Sequence, residues 1–265
     1  MQTSLLSSAT SDQYAEAASC FPSAKSITEE DRKVLQRQTG QVAPSVAALG
    51  IPSTCQCQHG YSQVFLLNPV GEKRMNSGLL KLTCPLLVNA IDRLEDDGYI
   101  ANFTSQVQIE EEWKQSCQTR HQTHADARKA ILSTKSELDD NGDSISILRQ
   151  KLGDKGADAF LNSGIAGATA EKPDVKCLHA WMGDYLFHAA DDGDNREHFL
   201  GEAIASVLQE RNIPLTGTSD CHQFCNPSSS GAPVPKPRNK QRLKTQKEKD
   251  RRKRKKEREQ AKAKA

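Results

Sequence analysis

Residues 79–98 read Leu79-Leu-Lys-Leu-Thr83-Cys84-Pro85-Leu-Leu-Val-Asn-Ala90-Ile91-Asp-Arg-Leu94-Glu95-Asp-Asp-Gly98, and two periodicities meet inside them. Up to Thr83 the stretch is a short apolar run of strand type. After it, Leu86, Leu87, Ala90, Ile91 and Leu94 recur at helical spacing. Proline suits the first helical position, where a missing N–H costs no intrahelical bond, so Pro85 opens the helix, Cys84 caps it and Gly98 stops it. Upstream lies a second apolar run, Val64-Phe-Leu-Leu67, and the segment between the runs, Asn68 to Gly78, is rich in turn formers. That pattern predicts an antiparallel strand pair joined by a long loop.

Outward from this unit the chain reads as helix. Ser26-Ile-Thr-Glu29 has the form of a capping box and Gly40 is a suitable stop, which predicts a helix over 28–39. From Ser105, with Gln108 closing another box, a long polar helix should run to about Leu138. Its candidate buried stripe is Ile109, Trp113, Cys117, Arg120, His124, Ala127 and Ile131, basic rather than apolar in its middle. Residues 139–172 carry Gly142, Gly153, Gly156, Gly164 and Gly167 and read mostly as connection, with a short helix near Ile145 to Leu152. Asp174 can cap a helix whose inward face is Val175, Leu178, Met182, Tyr185 or Leu186, and Ala189. A last helix covers Glu197 to Glu210 and ends before Pro214. The fold class is therefore α+β, a mostly helical single domain over 28–212. A flexible N-terminus, 1–25, precedes it, and a Ser/Pro linker with a disordered basic tail, 213–265, follows.

Charge is divided along the chain. Of 36 basic and 34 acidic residues, 16 and 4 fall between Lys236 and Ala265, which leaves 20 and 30 elsewhere. An acidic body thus trails a strongly cationic arm, and such an arm seeks polyanions. Arg251, Arg252, Lys253, Arg254, Lys255 and Lys256 are its densest part, readable as a nuclear or nucleolar address, a sequence-blind RNA or DNA clamp, or a solvated helix end. No aromatic residue stands in the arm to stack on bases, so affinity would come from phosphate contacts. No apolar run approaches the ~20 residues that a membrane helix needs. The opening Met1-Gln-Thr-Ser-Leu-Leu is a poor secretory signal for want of a basic region. The protein is expected to be intracellular, in cytoplasm or nucleus, where eight cysteines serve as ligands or free thiols rather than disulfides.

Four of those cysteines fall in three short elements with a histidine: Cys55-Gln-Cys57, Cys84-Pro85 and Cys177-Leu-His179. Thiolates and imidazole are ligands for zinc or for an iron–sulfur cluster, and equally the parts of a reactive thiolate with its base. In an extended segment Cys55 and Cys57 share a face and form a pincer. Two residues apart on a helix diverge by about 200°, so Cys177 and His179 cannot both reach one ion unless the first turn is distorted. The predicted metal set is Cys55, Cys57, Cys84 and Cys177, with His179 as substitute ligand or supporting donor. Zinc is the leading cofactor, an iron–sulfur cluster the alternative. Cys84 and Cys177, placed at helix N-termini, should have lowered pKa values. Cys221 and Cys225 have ligand spacing too but border the tail. The plain alternative is that each cysteine is a small buried hydrophobe.

These elements, with Gln38-Thr-Gly40, Leu94-Glu95-x-x-Gly98 and Val175-Lys-Cys177-Leu-His179-Ala180, resemble the bacterial family called domain of unknown function 501. The resemblance runs from about Asp31 to Leu200 and implies a compact single domain without implying an activity. His121 and Arg128 match a His and an Arg on that family's long helix. With His124 between them they form a basic face suited to an anion, or to a salt-bridged helix surface. Gln58-His59-Gly60 after Cys57, Gln41 in place of Arg, Met75-Asn-Ser-Gly78, the longer connection over 139–165 and the basic tail depart from the family pattern.

Three functions are compatible with this reading, one of them a purely structural role as an interaction scaffold, and the other two turn on the cysteines. One is a metal-stapled binding module held to nucleic acid or a ribonucleoprotein by the arm. The other is a metal- or cysteine-dependent enzyme, with Cys84 as candidate nucleophile and His179 or His121 as candidate base.

Overall fold

In the computed structural model, which describes residues 19–40, 47–52, 57–70, 75–76, 78–133, 144–188 and 198–229, the strand-to-helix stretch forms as its pattern predicts. The described elements are β1 (Ala24–Ser26), α1 (Glu29–Thr39), β2 (Ala48–Pro52), β3 (Val64–Leu67), β4 (Leu80–Leu82), α2 (Pro85–Asp96), α3 (Tyr99–Ile109), α4 (Glu111–Ser133), α5 (Ser144–Leu161), α6 (Leu178–His188) and α7 (Phe199–Glu210). Short 3₁₀ turns cover Ile165–Gly167 and Cys221–Phe224. The class is α+β and mostly helical. All described residues belong to one unit, Met1–Val234.

The strand pair is β3 with β4, in the register Val64↔Leu82. It is one half of a four-stranded antiparallel sheet ordered β1-β2-β3-β4, with β4 at the edge. Both faces of the sheet are covered, which explains why Val64-Phe-Leu-Leu67 is apolar throughout instead of alternating. Phe65 and Leu67 point with Ala48 and Ile51 toward Leu35 of α1. Val64, Leu66, Leu80 and Leu82 point the other way, into the main core with Leu87 and Ile91 of α2 and Trp181, Met182, Leu186 and Phe187 of α6. Helix α6 lies close on β4 because position 183 has no side chain: a Cβ there would sit 3.3 Å from the Leu82 amide nitrogen.

Several boundaries differ from the predicted ones, each for a local reason. Thr28, not Ser26, caps α1: its hydroxyl accepts from the Asp31 amide at 3.2 Å, and the Asp31 carboxylate accepts from the Thr28 amide at 2.9 Å. The long polar helix is two helices, α3 and α4, broken at Glu110, whose backbone is extended. Ile109, at that break, is 82% exposed rather than buried. In the glycine-rich segment 139–172, read mostly as connection, the short helix expected near Ile145 to Leu152 forms and continues, past a kink at Gly153, to Leu161 as α5. Its Leu148, Ala157 and Leu161 pack on Leu132 of α4. Gly164 then lets the chain cross α4, since a Cβ there would meet His121 at 2.6 Å.

The ends of the domain also shift outward. Phe21, within the segment expected to be flexible, is buried in the main core, and β1 follows it. Beyond α7 the chain from Ile213 to Ser229 was expected to be linker. It is instead tied down: Gln63 donates to Leu215 O at 2.7 Å, the Gln58 amide to Thr216 O at 2.8 Å, and His59 Nε2 to Thr218 O at 2.8 Å. Among the described residues no helix is long and apolar enough to cross a membrane. The basic arm, including Arg251 to Lys256, lies outside the described residues.

Candidate metal centres and a buried imidazole cluster

Helix α2 has a different group of ligand-type side chains at each end. At its N-terminus Cys84 is the cap residue and Pro85 opens the helix, as the sequence predicts. Near Cys84 the fold brings Cys57, from the turn before β3, and Cys221 and Cys225, from the last 3₁₀ turn, within range of one another's charge. All four thiols are buried and none is in a disulfide. A Cβ on Gly217 would fall 2.8 Å from Cys221 Sγ and 3.7 Å from the Cys57 Cβ, so those two side chains flank one point. Cys225 feels the charges of Cys84, Cys57 and Cys221 together, and its Sγ accepts from Gln38 Nε2 at 3.3 Å. Cys55, the other half of the predicted pincer, lies outside the described residues.

Burial governs the protonation of this thiol pocket. It pushes Cys225 up to about 12, against the Gln38 hydrogen bond and with the repulsion of the neighbouring sulfurs. Cys84 is also raised: burial outweighs the amides of Leu86 and Leu87 and the Gln63 side chain, which favour its thiolate. The lowered pKa predicted from the helix N-terminus is therefore overturned for Cys84, because desolvation exceeds the dipole. A divalent cation among these sulfurs would reverse the balance, since a coordinated thiol is deprotonated outright.

At the other end of α2 stands Glu95. Its Oε1 accepts from the Leu178 amide at 2.9 Å and from His179 Nδ1 at 3.0 Å, at the start of α6. Cys177 Sγ is 3.8 Å from the same Nδ1. On the far side of the ring His179 Nε2 donates to Val88 O at 3.2 Å and lies 3.5 Å from Asp92 Oδ1. Burial opposes the charge on His179, but Cys177 and Glu95 prevail and raise it to about 9. The helix begins at Leu178, not at Asp174 or Val175. Cys177 thus precedes the helix, and the divergence expected for two helical residues does not arise.

The single centre predicted from Cys55, Cys57, Cys84, Cys177 and His179 is not assembled. Cys84 and Glu95 are eleven residues apart on one helix, about 16 Å by its rise. Cys177 and His179 sit at the Glu95 end and Cys57 at the Cys84 end, so the four described members of the set divide between two places.

A third group was not found in the sequence. Asp184 of α6 is fully buried, and its Oδ1 accepts from His124 Nε2 at 2.7 Å while its Oδ2 accepts from His198 Nε2 at 2.7 Å. His188, one turn on, donates from Nδ1 to the Asp184 carbonyl at 2.9 Å and lies 3.3 Å from Oδ1. Although burial disfavours its charge, His188 and His124 hold the Asp184 carboxyl well below the usual range. His188 is raised, because Asp184 outweighs its burial. His124 is lowered, because there burial outweighs Asp184.

The proposed anion-binding face, His121, His124 and Arg128, belongs to this interior. His121 is 0% and Arg128 0% exposed, and His124 faces Asp184, so an external anion has no approach. His121 Nδ1 accepts from the Ile165 amide at 3.1 Å, and burial, aided by His124, lowers its pKa to about 4. Arg128 donates to Ser163 O and lies over the Phe160 ring at 5.2 Å.

The class these observations define is an α+β domain in which Glu95, Cys177 and His179 stand at metal-ligand spacing near one end of α2, with buried thiols at the other. A family model described as Protein of unknown function (DUF501) matches residues 53–204, more than half of the chain, and the protein belongs to that family. Glu95, Cys177, His179 and the Asp184 cluster lie inside the matched span, whereas Cys221 and Cys225 lie beyond it. No curated protein and no solved structure matches the chain.

Proposed function

We propose that the protein is a metal-stapled binding module held to nucleic acid, or to a ribonucleoprotein, by its basic arm. The observation that carries this reading is the burial of Cys57, Cys84, Cys221 and Cys225 around the start of α2. Four buried sulfurs from three segments are the donor types of a closed structural site for zinc, or of an iron–sulfur cluster, and an ion would have to draw them together, since among the described residues the group already at ligand spacing is Glu95, Cys177 and His179. Such an ion would fasten the last 3₁₀ turn, and with it the root of the arm, to the sheet and α2. The arm itself supplies 16 basic residues against 4 acidic.

Elemental analysis of the full chain purified under reducing, anaerobic conditions tests the staple, and its absorption spectrum separates zinc from an iron cluster. The expected result is stoichiometric metal in the wild type and one ion per chain fewer in Cys221→Ser; a metal-free wild type would end the reading. For the arm, binding to single-stranded RNA should weaken by about 10³ to 10⁵ between 50 and 200 mM salt if 6 to 10 phosphates are contacted. A chain ending before Pro235 that binds with the same salt slope removes the tether.

An enzyme is the second reading, and one observation favours it: the cluster at Glu95 is partly buried rather than sealed, with side chains of His179 and Glu95 at 16% and 12% exposure. Cys84 at 2% and His121 at 0% have no comparable access to a substrate. His179 is the one of the three candidate catalytic residues within reach of solvent.

A further inference from the structure

We infer that Glu95, Cys177 and His179 form a second cation site, open on one side and specific for a zinc-class divalent ion. Their ligand atoms, Oε1, Sγ and Nδ1, all lie within 4.8 Å of one another. Two of the separations are 3.8 Å for sulfur to nitrogen and 3.0 Å for nitrogen to oxygen. A tetrahedral zinc ion with ordinary bond lengths sets its donors about 3.4 to 3.6 Å apart, between those two values.

The surroundings of His179 resemble the support that metal-bound imidazoles receive. With Nδ1 facing the ion, the opposite N–H is held by Val88 O at 3.2 Å, with Asp92 Oδ1 at 3.5 Å. That arrangement fixes the ring, so that once the Nδ1 proton has left, the lone pair points at Cys177 and Glu95. Backbone order contributes too. Because α6 begins only at Leu178, the Cys177 side chain is free of the helical screw and returns to the same side as His179.

Thiolate, carboxylate and neutral imidazole together balance a dication. Uptake therefore displaces the thiol proton of Cys177 and the Nδ1 proton shared between His179 and Glu95, both to solvent. Three protein donors leave the fourth position to water, and water on such an ion titrates near neutral pH. The site is in this respect unlike the thiol pocket about 16 Å away along α2, which offers four sulfurs and no opening. It does not depend on that pocket holding metal.

The test is cobalt and zinc titration of the full-length, reduced protein, with zinc content by elemental analysis, for the wild type and for E95Q, C177S, H179Q and C221S. Two ions per chain are expected in the wild type. C177S and H179Q should reduce the count to one and abolish one cobalt-thiolate absorption band. E95Q keeps an amide oxygen for the Leu178 N–H and so preserves the cap of α6; it should weaken the second ion at least tenfold with an unchanged near-ultraviolet circular dichroism spectrum. D92N should weaken it 10- to 100-fold through the ring's far side.

Wild-type stoichiometry and affinity in C177S, H179Q and E95Q would overturn the inference and leave Glu95 as a helix cap alone. A single ion that survives C177S but not C221S has the same meaning and spares the proposed staple. A single ion that survives C221S but not C177S upholds the second site and removes the staple instead.

Discussion

Around Cys84 the fold buries four groups of one kind, whereas around Asp184 it buries an acid with its bases. The carboxylate of Asp184 has His124 on one oxygen and His198 on the other, with His188 close by. It is neutralised from within and needs nothing from outside. A helix N-terminus and Gln63 favour the Cys84 thiolate and Gln38 favours that of Cys225, yet burial raises both, Cys225 up to about 12. Such a pocket rests either on protons or on a cation. The difference teaches that equally buried polar centres can be complete or incomplete, and that the incomplete one is where a ligand is to be sought.

The largest expected effect separates them directly. Stripping metal with a strong chelator under reducing conditions should unfold the body, because a four-thiolate zinc site contributes an apparent ~10 to 16 kcal/mol at neutral pH. Loss of cooperative thermal unfolding on chelation, restored by zinc, is the outcome to look for. The Asp184 cluster gives no such dependence. A chelated protein that melts as before would make the thiol pocket as self-sufficient as the imidazole one.

Next in size is Asp184→Asn. It keeps the shape but removes the charge that the imidazoles face, and breaking a buried pair by removing one partner costs about 3 to 5 kcal/mol. Urea unfolding at pH 7 measures it. The metal content should not change, which sets this loss apart from any at the thiol pocket.

Acid sharpens the comparison further. His121, held neutral beside the cluster, has a pKa lowered from 6.5 to about 4 by burial, with His124 adding to the shift. The unfolded chain therefore takes up the proton first as pH falls. Stability contributed by neutral His121 is complete above about 6.5 and is lost on the way down to about 4, an amount of about 3 kcal/mol. Asp184 acts at lower pH, since its contribution persists above the ordinary carboxylate range and fades only in stronger acid. His121→Gln can still accept the Ile165 amide and should flatten the slope of stability between pH 6.5 and 4. An unchanged slope would assign the acid sensitivity to other groups.

What could be read beforehand follows the same division. The start of α2 was legible because Cys84-Pro85 after an apolar run is a local pattern, and β3 and β4 because sheet strands covered on both faces are apolar throughout. Strands β1 and β2 were not, since Ala24-Lys-Ser26 is three residues long and Ala48-Leu-Gly-Ile-Pro52 carries the turn formers Gly50 and Pro52. Cys221 and Cys225 had ligand spacing, but the composition of the neighbouring tail masked a segment that folds by hydrogen bonds to residues 58–63. Asp184 and His188 had one signal, a spacing of four on one helix face; their partners come from elsewhere, His124 from α4 and His198 from the cap of α7, and no local pattern links them. Separating Cys84 from Cys177 needed the length of α2, which the cysteine spacings do not contain.

The smallest effect concerns the wall of the thiol pocket. Gln38, at the end of α1, accepts from the Thr83 hydroxyl at 2.6 Å and donates to Ser62 O at 2.9 Å and Cys225 Sγ at 3.3 Å. It joins α1, the strand-to-helix corner and the last 3₁₀ turn through one amide. Gln38→Leu fills similar space but leaves the Ser62 carbonyl without its side-chain donor, at a cost of about 1 to 3 kcal/mol. If the sulfurs hold an ion, the same change removes a donor that steadies Cys225 and should lower metal affinity 10- to 100-fold. If they hold only protons, the neutral thiol loses a weak contact, and the stability loss appears alone. Measuring both quantities on one variant therefore tells a supported metal centre from a merely buried set of cysteines.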